Sequence, residues 1–448
     1  MKLLNIESEN DFLNCIKNNV CGDYIYDYPP RQTYRKFETG VWSLIQKSID
    51  FSDNLNLYFH FPFCKQICAY CNLFTLNDLR EEKFKEYFDS LFLELGYFKS
   101  MIMGKKINSI YLGGGTPSLI PIKYISHLFE HLLKDYGIDV FNISEVTIEL
   151  SPETVQKENI QAYRSFGINR VSIGVQSVDN FELSCVGRKY SDAQVIQALE
   201  LILGAGFKNV CVDLIYGLEG QTDHSWKSSL HSIVDFRPPT ICPYPLTLRP
   251  ETGFSMHDYT AISGKSQYDK YDYTKKYLLE NGYTQDTHIR YSLKNSNGGY
   301  VQKENHWNME NILGFGAGAR SYLYYLNYRN GYSVLNRKNV YDTYISKIAD
   351  SQNCILDGFI MNSDEIQRKA IILGLKKIDI EEFTKKYDSS PYALFPQYLN
   401  WLEKFGLITC TEKYIALSDA GTRYRDVIVQ LFFSEHVKSL IEGYSYKS

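Results

Sequence analysis

Between about residues 56 and 247, short apolar runs alternate with longer stretches in which apolar side chains recur every three or four positions. The runs are NLYFHF, INSIYLGGG, VTIEL, RVSIGVQ, NVCVDLIYG and TICPYPL. Each is bounded by turn residues and rich in β-branched or aromatic side chains, the pattern of a buried strand. Between them, REEKFKEYFDSLFLELGYF, SDAQVIQALELILGAG and SWKSSLHSIVDF read as amphipathic helices. Six strands alternating with helices predict a parallel sheet of βα units, either doubly wound or a barrel. Both architectures gather ligands at the C-terminal ends of their strands.

The unusual residues fall in phase with that rule. Cys64, Cys68 and Cys71 follow the first strand, and Gly113, Gly114 and Gly115 end the second. Glu149 and Pro152 close the third, Gln176 follows the fourth, and Asp213 and Gly217 lie on the fifth. Scattered structural residues would not converge on one mouth in this way. Beyond the core, residues 267–346 contain GYTQDTHIRYS and ILGFGAGARSY. From about residue 364 the chain reads as helical. Its end, WLEKFGLITCTEKYIALSDAGTRYRD, predicts a helix, a short hairpin and a final helix, as in a small winged-helix unit. The expected division is an N-terminal segment 1–50, a core 51–250, a substrate-side extension 251–350 and a C-terminal domain 351–448.

The chain has 448 residues, of which 44% are apolar, enough for a large buried core. Lys+Arg 48 against Asp+Glu 52 gives a net charge of -4, and nothing in that balance draws the chain to nucleic acid or anionic lipid. The C-terminal segment QRKAIILGLKKIDIEEFTKKYDSS is charge-mixed, so a lid or substrate-binding role suits it better than DNA binding. The first residues carry acids and no apolar signal-peptide region, and no run reaches transmembrane length. A cytoplasmic protein without nucleic-acid or membrane partners is expected. Seven of the ten cysteines are scattered singly and read as reduced, mostly buried thiols.

The other three form C-x3-C-x2-C within YFHFPFCKQICAYCNLF. Structural zinc wants four ligands, usually as paired C-x2-C units, and there is no second pair. His60 is the alternative fourth ligand, poorly placed four positions before Cys64. A four-iron cube on three thiolates leaves one iron open for chemistry, and fits the donor count better.

This loop after the first strand of a βα sheet resembles the radical S-adenosylmethionine (SAM) superfamily. The flanking HFPFC-x3-C-x-YC, YLGGGTPS, IELSPE, GINRVSIGVQS, VGRKYS and VDLIYGLEGQT narrow the resemblance to its oxygen-independent coproporphyrinogen III oxidase-like branch, over nearly the whole chain. The resemblance implies a partial (β/α)6 barrel with an α-rich, winged-helix-like C-terminal domain. It implies a 4Fe–4S cluster on Cys64, Cys68 and Cys71, a SAM on the open iron, and a 5′-deoxyadenosyl radical made with a low-potential electron from a flavodoxin- or ferredoxin-type donor. Tyr58, Gly114, Gly115, Thr116 and Glu149 correspond to first-SAM positions. Tyr70, Gln176, Arg188 and Asp213 correspond to positions that hold a second SAM.

Each of these residues also has its own physical reading. GGGTP offers a backbone with free amides for close approach to a charged ligand, against a plain tight turn. A carboxylate at Glu149 needs hydrogen-bond donors, from a ribose diol or from an Arg or Lys partner. Gln176, Arg188 and Asp213 could equally form a structural network, and Tyr58 and Tyr70 could be core. Arg249 and Arg320 face the expected cavity, where each could bind an anionic substrate or the SAM carboxylate, or form an ordinary salt bridge.

The branch holds coproporphyrinogen III dehydrogenases, methylases or cyclopropanases that use two SAM molecules, and haem chaperones. Haem chaperones carry H-N-x-x-Y-W before G-x-G-A-G-A. Here the aligned residues are Gln302, Lys303, Glu304, Asn305, His306 and Trp307. The oxidase signature Y-T-S-Y-P-T-A survives only as Tyr26-Asp27-Tyr28-Pro29. The expectation is oxidation or C-alkylation of an unknown small molecule. The alternatives are a coproporphyrinogen oxidase or a non-catalytic haem-binding protein.

Overall fold

The computed structural model describes every residue except 1–2, 39, 250–251, 257–258, 260–261, 332–335, 351–353 and 445–448. The expected boundaries at 250/251 and at 351, and Pro250 and Glu251 of YPLTLRPETGF, lie outside the described residues.

In chain order the strands are β1 (Arg35–Lys36), β2 (Asn54–Phe61), β3 (Lys106–Gly114), β4 (Glu145–Leu150), β5 (Arg170–Gln176), β6 (Asn209–Tyr216), β7 (Thr240–Pro245), β8 (Tyr283–Thr287), β9 (Arg290–Leu293), β10 (Ile312–Phe315), β11 (Arg320–Tyr322), β12 (Leu326–Arg329) and β13 (Asp357–Ile360). Among the described residues these thirteen make one sheet in the order β1-β13-β12-β11-β10-β2-β3-β4-β5-β6-β7-β9-β8. The six runs read from the sequence are β2 to β7, in parallel succession. A seventh parallel strand, β10, pairs with β2 from the far end of the chain, Gly314 opposite Tyr58. Antiparallel strands complete both flanks. Gly217 falls just beyond β6 rather than on it.

The central strands are buried on both faces, as their unbroken apolar runs require. Helices such as Glu81–Tyr97, Ile122–Tyr136 and Asp192–Gly204 cover the outer face. The last is opened by a capping box in which Ser191 and Gln194 satisfy each other's backbone amides. Leu91, Leu128, Leu199 and Leu230 seal the helix–sheet layer, each fully buried, and burial of such a side chain contributes about 1.5–3 kcal/mol.

The C-terminal part holds a small sheet of β14 (Ile378–Asp379), β15 (Ile408–Cys410) and β16 (Tyr414–Leu417), ordered β14-β16-β15 and flanked by helices Ser363–Gly374 and Pro396–Lys404. Helix Pro396–Lys404, the β15–β16 hairpin and the short helix Asp419–Arg423 follow in the order expected of the tail. Its core is shared with the N-terminus. Phe12, Ile25 and Tyr28 pack with Ile371, Leu399 and Ile415. Tyr28 Oη donates to Glu365 and accepts from the Ser434 amide, and Asp426 Oδ1 accepts from the Ile25 amide. These contacts tie Ile25 and Tyr28 to Glu365, Asp426 and Ser434, and Tyr24 and Tyr26 beside them line the mouth of the sheet. Among the described residues, no helix is long and apolar enough to cross a membrane.

Candidate active site

Local geometry first explains the cysteine loop. Its backbone is anchored by Cys64 N to Leu76 O (2.8 Å), Ala69 N to Val186 O (3.1 Å) and Cys71 N to Cys68 O (3.0 Å). Cys64 and Cys68 are buried. Thr116 Oγ1 lies 3.6 Å from Cys64 Sγ. At Gly115 a Cβ would stand 2.6 Å from Phe63 O and 2.9 Å from Cys64 Sγ. The glycine loop is therefore pressed directly onto the cysteine loop, and only a residue without a side chain fits between them.

His60 is not available as a fourth ligand. Its Nε2 donates to Phe74 O at 2.9 Å, which leaves Nδ1 to accept from Tyr58 Oη at 2.9 Å. Burial lowers its pKa to about 4, so the ring is neutral. Three soft thiols from one loop, with no fourth protein donor from His60, suit an iron–sulfur cube with an open iron. Burial pushes the Cys64 thiol up to about 12, and a bound metal is what would make it a thiolate.

The amides of the glycine loop are not free as expected. Gly114 N donates to Glu149 Oε2 (3.1 Å), Gly115 N to Phe61 O (2.8 Å) and Thr116 N to Phe63 O (2.8 Å). Backbone carbonyls and Glu149 have claimed them to fix the turn, so the loop's role is steric. Glu149 also accepts from Tyr111 Oη at 2.7 Å. Its hydrogen bonds thus come from a phenol and an amide, not from Arg or Lys. Burial raises its pKa to about 7.

A cavity of about 550 Å³ opens at the C-terminal ends of the parallel strands. Tyr58, Tyr70, Gly114, Glu149, Asp213 and Arg320 line it, as does Arg249. Cys64, Cys68, Cys71, Gly115, Thr116, Gln176 and Arg188 stand outside that lining. Arg188 reaches it through Tyr70: its Nη2 donates to Tyr70 Oη and its Nη1 to Ser151 Oγ, both at 3.0 Å. Gln176 ends β5 where the ladder slips, with a φ of 65°. A Cβ at Gly174 would lie 2.6 Å from Gln176 Nε2 and 3.9 Å from Arg188 Nη2, so both side chains overhang that glycine. Asp213 accepts from Ser172 Oγ at 2.9 Å, and burial raises its pKa to about 6.

Sequence reasoning missed much of the wall. Tyr24 and Tyr26 come from the N-terminal segment, Arg170 from β5, Arg290 from β9 and Tyr300 from the segment after it. Arg170, Arg249, Arg290 and Arg320 line the space together with Glu149 and Asp213, so guanidinium groups outnumber acids. No local motif marks these residues; they meet only when distant strands join.

The stretch from Gln302 divides in two. Gln302 lines the cavity while its Nε2 bonds Leu57 O (2.9 Å) and Ser109 Oγ (3.1 Å). Lys303 also lines it, its Nζ 3.2 Å from Tyr26 O. His306 instead points away to Asp27 and stacks on the far face of Tyr26.

Comparison with known proteins fits this geometry. The radical SAM superfamily profile matches residues 58–233. A heme chaperone, HemW, of Haemophilus influenzae is 32% identical over 60% of this chain and 70% of its own length. The chain belongs to the radical SAM superfamily. HemW of Lactococcus lactis is 28% identical over 85% of this chain and 97% of its own. The structure of coproporphyrinogen III oxidase (HemN) from Escherichia coli, described as a radical SAM enzyme, superposes with a TM-score of 0.80 at 21% identity. It covers 94% of this chain and 98% of that one. Among radical SAM proteins the chain therefore falls in the coproporphyrinogen oxidase-like branch, whose cofactors are a 4Fe–4S cluster and SAM.

Proposed function

We propose that the chain is a catalytic radical SAM protein acting on an anionic small molecule. The observation that carries this reading is the close approach of Gly115 to Cys64, where a Cβ would stand 2.9 Å from Sγ, which sets the cluster loop beside an arginine-rich cavity. When bound, the cluster and SAM supply a 5′-deoxyadenosyl radical, given one low-potential electron from a flavodoxin- or ferredoxin-type donor. Cys64, Cys68 and Cys71 would hold the cluster. Tyr58, Gly114 and Glu149 would border the first SAM, with Glu149 accepting from its ribose, and Gly115 and Thr116 would keep the thiol in place. Tyr70, Gln176, Arg188 and Asp213 would border a second SAM, with the Arg188 guanidinium suited to its carboxylate. Arg249 and Arg320 would bind the acidic end of the substrate. The tyrosines of the wall exclude water from the space where hydrogen abstraction occurs.

The test is product analysis. Anaerobically reconstituted protein with SAM and a strong reductant is expected to yield 5′-deoxyadenosine. Accompanying S-adenosylhomocysteine would favour carbon transfer from a second SAM; its absence with substrate present would favour oxidation. Neither product, from protein retaining its cluster, would overturn the catalytic reading. Haem binding would then lead, as the names of the HemW relatives suggest.

A further inference from the structure

Three side chains on the cavity wall stand apart from the cluster loop: Cys211 and Asp213 on β6 and Cys242 on β7. They share a face because Cys211 and Asp213 are two residues apart on one strand, and Asp213 is paired across the ladder with Cys242. Cys211 Sγ lies 3.5 Å from Cys242 Sγ and 3.6 Å from Asp213 Oδ1. Among the described residues this is the group of His, Cys, Asp and Glu donors whose ligand atoms all fall within 4.8 Å of one another. In a tetrahedral zinc site, Zn–S of about 2.3 Å and Zn–O of about 2.0–2.2 Å put neighbouring ligand atoms roughly 3.5–3.8 Å apart. The two edges that meet at Cys211 have tetrahedral lengths, and the third, between Cys242 and Asp213, is within 4.8 Å.

We propose that Cys211, Cys242 and Asp213 form a second metal site, for one thiophilic divalent cation of the zinc class. Three protein ligands leave the fourth position open, and the lining places that position toward the cavity, as in catalytic rather than structural zinc sites. The charge balance is also suited. Two thiolates and a carboxylate on a divalent ion leave one net negative charge. Arg170 lies on the same wall, where its charge acts on both Cys211 and Asp213, although it is also ion-paired with Glu145, 3.7 Å from its Nε. Its guanidinium offsets part of that charge. Asp213 would give Oδ1 to the metal and keep Oδ2 for Ser172 Oγ, the second-sphere bond that fixes a ligating carboxylate. The open position would take an anionic oxygen, nitrogen or sulfur donor of the substrate. This inference does not depend on radical chemistry.

The test loads protein whose cluster is already reconstituted, so that Cys64, Cys68 and Cys71 are occupied. Zinc is added anaerobically without SAM or reductant, and unbound metal is removed with a weak chelator. The expected result is one zinc per chain, with two sulfur neighbours by X-ray absorption at the zinc edge. Cys211→Ser and Cys242→Ser should each lose that zinc while keeping the full iron content, which also reports that the variants fold. Asp213→Asn should keep two sulfur neighbours but weaken affinity at least tenfold. No zinc retained by the parent protein, or zinc retained with two sulfurs in both serine variants, overturns the proposal.

Discussion

His306 Nε2 lies 3.0 Å from Asp27 Oδ1, with both residues buried. Asp27 Oδ2 accepts from Asn327 Nδ2 at 2.6 Å, and its Oδ1 sits 3.7 Å from Lys369 Nζ. The imidazole, its pKa lowered to about 4 by burial, stacks on Tyr26 beside Asp27 and is not part of the cavity lining. The residues of this stretch that line the cavity are Gln302, Lys303 and Trp307. Titration with haem should give no stoichiometric complex with a shifted Soret band. A one-to-one complex abolished by His306→Ala would reverse this conclusion.

Gly115→Ala should lower the iron retained after reconstitution. The added methyl meets backbone at Phe63 O, which cannot swing away, as well as Cys64 Sγ. Overpacking of this kind costs about 1–3 kcal/mol. Gly96→Ala is the control, because a Cβ there meets nothing within 4 Å. Equal iron in both variants would show that the contact with Cys64 is unimportant.

If Glu149 borders the first SAM as proposed, SAM affinity should depend on pH. Its carboxyl is raised from 4.5 to about 7, so the folded chain gives up stability as pH climbs through that window, where the unfolded carboxyl is already ionised. Diol donors favour the ionised form and would recover part of that loss. Binding measured by calorimetry should therefore tighten as pH rises through about 7 and then level off. Glu149→Gln should flatten the profile and weaken binding about tenfold or more, the loss of one charge-assisted bond. A flat profile in the parent chain would remove Glu149 from the cofactor site.

Lys303 should act in the opposite sense to a surface lysine. Burial holds its amine well below 10.5, so over that window the unfolded chain binds a proton that the folded chain does not. Stability then falls as pH falls. Lys303→Met should melt higher than the parent chain near about pH 7, with the gap closing near about pH 10. A gap independent of pH would mean that the amine is charged in the folded state.

How far the sequence carried this reading depended on distance along the chain. The βα core was legible because each strand is a continuous apolar run and each site residue follows its strand directly. The seventh parallel strand was not, since Ile312–Phe315 is short and its partner, β2, lies some 250 positions earlier. Gly113, Gly114 and Gly115 were legible as a group, but their amides are spent internally, because the turn's own hydrogen-bond demand is met first. Glu149 was legible as a carboxylate needing donors, although Tyr111 could not be named as one. Tyr24, Tyr26 and the Cys211–Cys242 pair carry no local signature, and only the register of distant strands brings them to the wall.

The tie between Tyr28, Glu365 and Ser434 has a consequence for biosynthesis. Tyr24 and Tyr26 leave the ribosome early, but the groups that pin their segment, Asp426 and Ser434 among them, are made about 400 residues later. Their place on the cavity wall is therefore set only after those later residues have folded onto the segment, so the wall is assembled out of the order in which it is translated.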